Sequence, residues 1–191
     1  KQVEDVKYGE HRQHDMAIMF CDIRGFSKIS ESMDPKENFE FLNRFFGCIT
    51  PIIREETGFI DKYLGDGFLA LFPGNADKAL SAAINVQKRV GDFNESNHFP
   101  AAGRVKLGIG IHYGSLMLGT IGEAQRMEGT VISDSVNLSS RLEGLTKQYG
   151  AHILISKNTY EKLSDKYTTR AIDFVEVKGK SKAVEIYEVI T

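Results

Sequence analysis

This chain of 191 residues has no tryptophan, two cysteines and four prolines. Two cysteines are too few to form the disulfide framework of a small secreted domain. Cys21 and Cys48 both fall in apolar-periodic stretches and read as free buried thiols in a reducing compartment. No apolar run approaches the roughly 20 residues that span a membrane. The opening Lys1–His14 is charged throughout, unlike a secretory signal. No charge of one sign dominates either: 24 Lys and Arg stand against 26 Asp and Glu, a net charge of −2, which argues against a nucleic-acid surface. The expected location is cytoplasmic. Because the first residue is Lys, the reading leaves room for an upstream sensor or regulatory region, and for a membrane tether, in a longer protein. Residues 1–15 read as a polar linker and residues 16–191 as one domain. At 41% hydrophobic and 26% charged residues, that domain has an ordinary globular composition and enough length for a sizeable core.

The most informative stretch is Phe59–Phe72, FIDKYLGDGFLALF. Two apolar runs flank Gly65-Asp66-Gly67, a strong hairpin signal. In the second strand Phe68, Ala70 and Phe72 point one way and Leu69 and Leu71 the other, so both faces are apolar and both need covering. The sequence reading expects a second copy of the chain to cover one of them. Asp66 sits at the hairpin tip, where a turn tolerates a carboxylate without needing one.

Met16–Phe20 reads as a central buried strand that runs straight into Cys21-Asp22-Ile23-Arg24-Gly25-Phe26. Asp22 has two readings. It caps the short helix that follows, or it is a metal ligand ahead of a loop whose backbone amides, Ile23 to Ser27, hold an anion. Asp34-Pro35-Lys36-Glu37 is a helix start with a capping box and proline at the first position. That helix is expected to end at Gly58. A second helix covers Asn75–Asn94, and strands cover Val105–Tyr113 and Leu116–Ile121. Glu123–Gly129 reads as polar connection, and Thr130–Ile132 as a short strand. A helix capped by Asp134 then runs to Tyr149, with Asn137 and Arg141 four apart on one face; that pair is either a solvated face or a working one. The tail alternates strands with a turn rich in lysine, Lys178, Lys180 and Lys182 around Gly179. Together the elements make an α+β domain that opens like a ferredoxin-like, split βαβ arrangement: an antiparallel-rich sheet with helices on one face.

Four blocks in this order, FCDIRGFSKIS, IDKYLGDGFLALF, GIHYG and TVISDSVNLSSRL, closely resemble the catalytic domain of class III nucleotidyl cyclases, over roughly Met16 to Val189. The resemblance implies a homodimer with composite active sites. It implies that Asp22 and Asp66, with the backbone of Ile23, bind two divalent cations, Mg²⁺ or Mn²⁺. Lys62 and Thr130 match the base-reading positions, Asn137 and Arg141 the pair that orients the ribose and stabilises the transition state, and Lys178 or Lys180 a lysine that meets the terminal phosphates. The backbone from Ile23 through Arg24, Gly25 and Phe26 to Ser27 matches the phosphate loop. Lys62 is donor-only and suits the adenine N1 acceptor, and Thr130 can accept from the adenine amino group; guanylyl relatives carry Glu and Cys there. The implied activity is adenylyl cyclase, ATP to 3′,5′-cyclic AMP and pyrophosphate. A guanylyl or dual-specificity cyclase is the alternative, and a non-catalytic regulatory dimerisation module a further one.

Overall fold

A computed structural model describes residues 11–96, 98–99, 102–123, 126–164, 166–176 and 183–191. Among the described residues eight strands form one sheet in the order β2-β3-β1-β4-β6-β8-β7, with β5 paired to the far end of β4. The strands are β1 His11–Ile23, β2 Phe59–Leu64, β3 Gly67–Pro73, β4 Leu107–Glu123, β5 Arg126–Ile132, β6 Ile153–Ser156, β7 Thr169–Val175 and β8 Val184–Val189. The helices are α1 Phe26–Glu31, α2 Pro35–Glu55, α3 Ala76–Ser96, α4 Asp134–Tyr149 and α5 Lys157–Tyr160. All pairings are antiparallel except β4 with β6.

The α+β class and the antiparallel-rich sheet match the sequence reading, but the helices use both faces of the sheet. Phe41, Phe45, Ile49 and Ile53 of α2 and Ala79, Ala83 and Val86 of α3 bury Ala17, Met19, Cys21, Phe68, Ala70 and Phe72. On the other face α4 packs Leu138 and Leu142 against Leu154 and Ile186. Leu69 and Leu71 are also buried on that face, by Met16, Ile18 and Leu116, with Val136 of α4 beside them. The chain therefore covers both faces of β3 by itself, and their apolar character alone does not call for a second copy.

Local signals set most element ends. Asp34 accepts from the Glu37 amide while Glu37 accepts from the Asp34 amide, so the capping box is formed. Pro51 lies inside α2 without ending it. The turn after α2 is carried by Thr57, at φ 62°, rather than by Gly58. Gly58 is needed for space: a Cβ there would lie 2.5 Å from the Phe72 ring. β4 runs unbroken where two strands were expected, because β1 pairs with it over its whole length, from His11–Gly119 to Ile23–Leu107. β5 likewise starts at Arg126 and takes in half of the expected connection.

Among the described glycines, Gly110 has the tightest surroundings, where β4 meets α4. A Cβ on Gly110 would lie 2.2 Å from the Glu143 amide nitrogen and 2.5 Å from the Ser139 carbonyl oxygen. The buried Ser139 hydroxyl donates to Ile18 O and Gly110 O, at 2.6 and 3.0 Å. Backbone cannot yield as a flexible side-chain end does, so Gly110→Ala is expected to cost about 3 kcal/mol, the upper end of overpacking penalties. For a chain of this length that is about 6–12 °C in Tm, measurable by thermal or urea unfolding; an unchanged Tm would show that α4 does not sit this close.

Candidate active site

Asp22 and Asp66 meet at the end of the sheet. Asp22 is the penultimate residue of β1, and its register partners are glycines on both sides: Gly67 on β3 and Gly108 on β4. A Cβ on Gly67 would come within 2.6 Å of Asp22 Oδ1, and one on Gly108 within 2.7 Å of Glu143 Oε1. The two glycines therefore leave the space that the carboxylates occupy. Asp66 is delivered by the two-residue turn Gly65-Asp66, closed by the Leu64–Gly67 pair, with Gly65 at φ 67°. The capping reading of Asp22 is removed by α1: its N-cap is Gly25, in the left-handed region, with no side-chain cap bond. Asp22 is not that helix's cap.

The two carboxyls hydrogen-bond each other. Burial first, and then the neighbouring charge of Asp66, push Asp22 up to about 6; burial likewise raises Asp66. Two carboxylates in one half-buried place resist joint ionisation unless a cation joins them. The donor set fits hard divalent ions. Two carboxylates form a partial oxygen cradle, leaving the remaining ligand positions for water, phosphate and other oxygen donors. Among the described residues no group of three or more His, Cys, Asp or Glu gathers to make a closed metal cage.

A third carboxyl, Glu143, stands within electrostatic reach of the pair without completing a cage with it, and the sequence reading missed it. Burial pushes it up to about 7, with the charge of Asp22 adding to this and Arg24 opposing it. It lies four residues after Ser139 and three before Thr146, both fully buried, so it stands on the inward side of α4. Polar residues at those two positions hid that stripe from the hydrophobic pattern. Arg24 does not turn towards a ligand. Its Nη2 donates to the Ala151 carbonyl, its Nε is buried without a partner, and its backbone amide donates to Lys106 O at 2.8 Å. That leaves the amides of Gly25, Phe26 and Ser27, the N-cap and first residues of a helix with no side-chain cap, as the better part of the expected phosphate loop.

The remaining expected residues lie apart from the carboxyl pair. Lys62 is on β2, at the edge of the sheet, 38% exposed and ion-paired to Asp61. Thr130 is on β5 opposite Gly119; its side chain lies outside the described residues, as do Lys178 and Lys180 altogether. Asn137 and Arg141 are exposed on α4, each next in sequence to a buried leucine, Leu138 and Leu142. No hydrogen bond or ion pair links either of them to Asp22, Asp66 or Lys62 among the described residues. No described helix is long and apolar enough to cross a membrane.

Residues 9–191 match the family model described as the adenylate and guanylate cyclase catalytic domain. An adenylate cyclase from Anabaena cylindrica is 46% identical over 98% of this chain, which spans 39% of that relative's length. The structure of a bacterial light-regulated adenylyl cyclase superposes with a TM-score of 0.87 at 25% identity, covering 94% of this chain and 53% of that one. The guanylyl cyclase Cya2 superposes at 0.82 with 30% identity, covering 96% and 94%. The fold is thus similar to that of cyclases named for either base.

Proposed function

This chain belongs to the adenylate and guanylate cyclase catalytic-domain family, and from that premise we propose that it converts ATP to 3′,5′-cyclic AMP and pyrophosphate. The observation that carries the reading is the pair Asp22–Asp66, two half-buried carboxyls placed together at the end of glycine-lined strands. Asp22, Asp66 and the Ile23 carbonyl would hold two divalent ions, Mg²⁺ or Mn²⁺. When bound, those ions supply positive charge to the triphosphate and lower the pKa of the ribose 3′-hydroxyl.

The reaction forms one bond, from the ribose 3′-oxygen to the α-phosphorus, and breaks the α–β phosphoanhydride bond. The hydroxyl proton passes to solvent and the electron pair leaves with pyrophosphate. Little covalent work falls to the protein, so positioning and charge placement carry the rate. The amides of Gly25, Phe26 and Ser27 receive β- and γ-phosphate oxygens, with Lys178 or Lys180 as their cationic partner. Asn137 orients the ribose, and Arg141 places fixed positive charge where it develops on the α-phosphate. Since Asn137 and Arg141 face solvent in one chain, the site is completed by a second copy: each chain contributes Asp22, Asp66 and the loop to one site and its α4 to the other. The catalytic unit is a twofold homodimer. A regulatory or sensor region outside residues 16–191 fits the share of relatives' length that this chain spans.

Base choice rests on Lys62 and Thr130. Lys62 donates to adenine N1, which is an acceptor, whereas guanine presents N1–H there. Assaying both triphosphates with Mg²⁺ or Mn²⁺ and separating the cyclic products tests the reading; cyclic GMP as the main product would overturn it. The paired change Lys62→Glu with Thr130→Cys is expected to shift the ATP-over-GTP preference by about a hundredfold, below the ~10⁴-fold limit that mismatched buried polar contacts reach, since the Thr130 hydroxyl can both donate and accept. An unchanged ratio of kcat/KM values would remove these residues from the base.

A further inference from the structure

The strand that carries Lys62 has one acidic residue, and the reaction scheme gives it no part. The side chain of Asp61 is 2% exposed. Neighbouring residues on a regular strand point to opposite faces, yet Lys62 Nζ lies 3.3 Å from Asp61 Oδ2. The reason is a register shift: Ile60 pairs with Ala70 and Lys62 with Leu69, leaving Asp61 as the extra residue of a bulge. An inserted residue re-aims the side chains around it. Oδ2 is buried and accepts no hydrogen bond from any described group. The ammonium therefore meets it as a charge contact without good hydrogen-bond alignment, and it is the only cation that the carboxylate has close by among the described residues. Burial raises Asp61 and Lys62 pulls it back down, as expected of a carboxylate that depends on a single cation.

We propose that Asp61 is a positioning residue for base recognition: lodged in the β2 bulge, it anchors Lys62 so that the ammonium is presented to adenine N1, without itself touching the nucleotide. At 2% exposure the carboxylate cannot reach a ligand, so its effect passes through Lys62. A lysine side chain is rich in rotamers, and holding it in one of them before the nucleotide arrives lowers the ordering cost of binding. This inference rests on the base-reading role of Lys62 proposed above.

The test compares kcat/KM for ATP and for 1-deaza-ATP, in which N1 is replaced by C–H, in wild type, Asp61→Asn, Lys62→Met and the double variant. The ratio of the two values, taken on one preparation, does not depend on the fraction of folded protein, so partial unfolding cannot imitate the result. Asp61→Asn is expected to lower kcat/KM for ATP about tenfold, mainly through KM, as for a weakened hydrogen bond to a charged group. It should leave 1-deaza-ATP unchanged and add nothing in the Lys62→Met background. If Lys62→Met lowers the ATP-to-analogue ratio and Asp61→Asn does not, the anchoring role is refuted and the base-reading role survives. If Lys62→Met itself leaves the ratio unchanged, the base-reading role falls and the inference falls with it.

Discussion

Two inactive variants are expected to make an active enzyme when mixed. In the proposed shared site, Asp22→Ala removes a carboxylate from one half, and Asn137→Ala removes the amide proposed to orient the ribose from the other. Each homodimer then carries one defect in both sites. Co-refolded in equal amounts, the chains pair at random and about half the dimers are mixed. By the twofold symmetry, one site of a mixed dimer carries both defects and the other carries none. Activity should therefore rise from near zero to about a quarter of wild type. The placement of Asn137 and Arg141 on the solvent side of α4, with no link to Asp22 or Asp66, is what makes this outcome expected. Were the site contained in one chain, every site would keep one defect. An absence of recovery, with mixed dimers verified by mass, would refute the shared site.

Asp66→Ala is expected to lose more than about 10³-fold in kcat, since charge stabilisation by a bound ion amounts to several kcal/mol and each 1.4 kcal/mol is a factor of ten. EDTA should do the same to the wild type. The structure adds a second, opposite expectation for stability. Burial and the neighbouring Asp66 raise Asp22 from its ordinary value, and burial raises Asp66 although its hydrogen bond with Asp22 lowers it. The folded state then holds protons that the unfolded chain has released. Stability of the cation-free protein should fall as pH rises from about 4, where an unperturbed carboxyl titrates, through about 6, where Asp22 titrates when folded. Glu143, raised to about 7, extends the decline. Added Mg²⁺ or Mn²⁺ should restore stability at pH 7.5 and do little at pH 5, where protons hold the site. In EDTA at pH 7.5, Asp66→Ala should be at least as stable as the wild type, because it removes one of two opposed buried carboxylates. Thermal unfolding across pH, with and without cation, measures all of this. A variant that is both inactive and strongly destabilised would mark Asp66 as a folding residue.

Much of this was legible along the chain because the responsible interactions are local. The Gly65-Asp66 turn, the capping box of Asp34 and Glu37, and the alternation that sends Phe68 and Leu69 to opposite faces all act within a few residues, where turn chemistry and periodicity are set by backbone geometry. The order of the four blocks placed Asp22, Lys62, Asn137 and Arg141 on their elements before any coordinates.

What the tertiary structure alone decided involves partners far apart in sequence. The Ser139 hydroxyl reaches Ile18 across 121 positions, and the Arg24 side chain reaches Ala151 across 127. Glu143 joins Asp22 and Asp66 only because Gly108 and Gly110 let α4 lie against β4. β3 has its second face covered by the chain's own β1, β4 and α4, although its sequence looks the same whether the cover comes from this chain or another. Asp61 and Lys62 share a side only because the β2–β3 register slips by one residue. No local pattern encodes such a slip: strand periodicity reports which residues alternate, whereas the pairing partner decides where the alternation breaks.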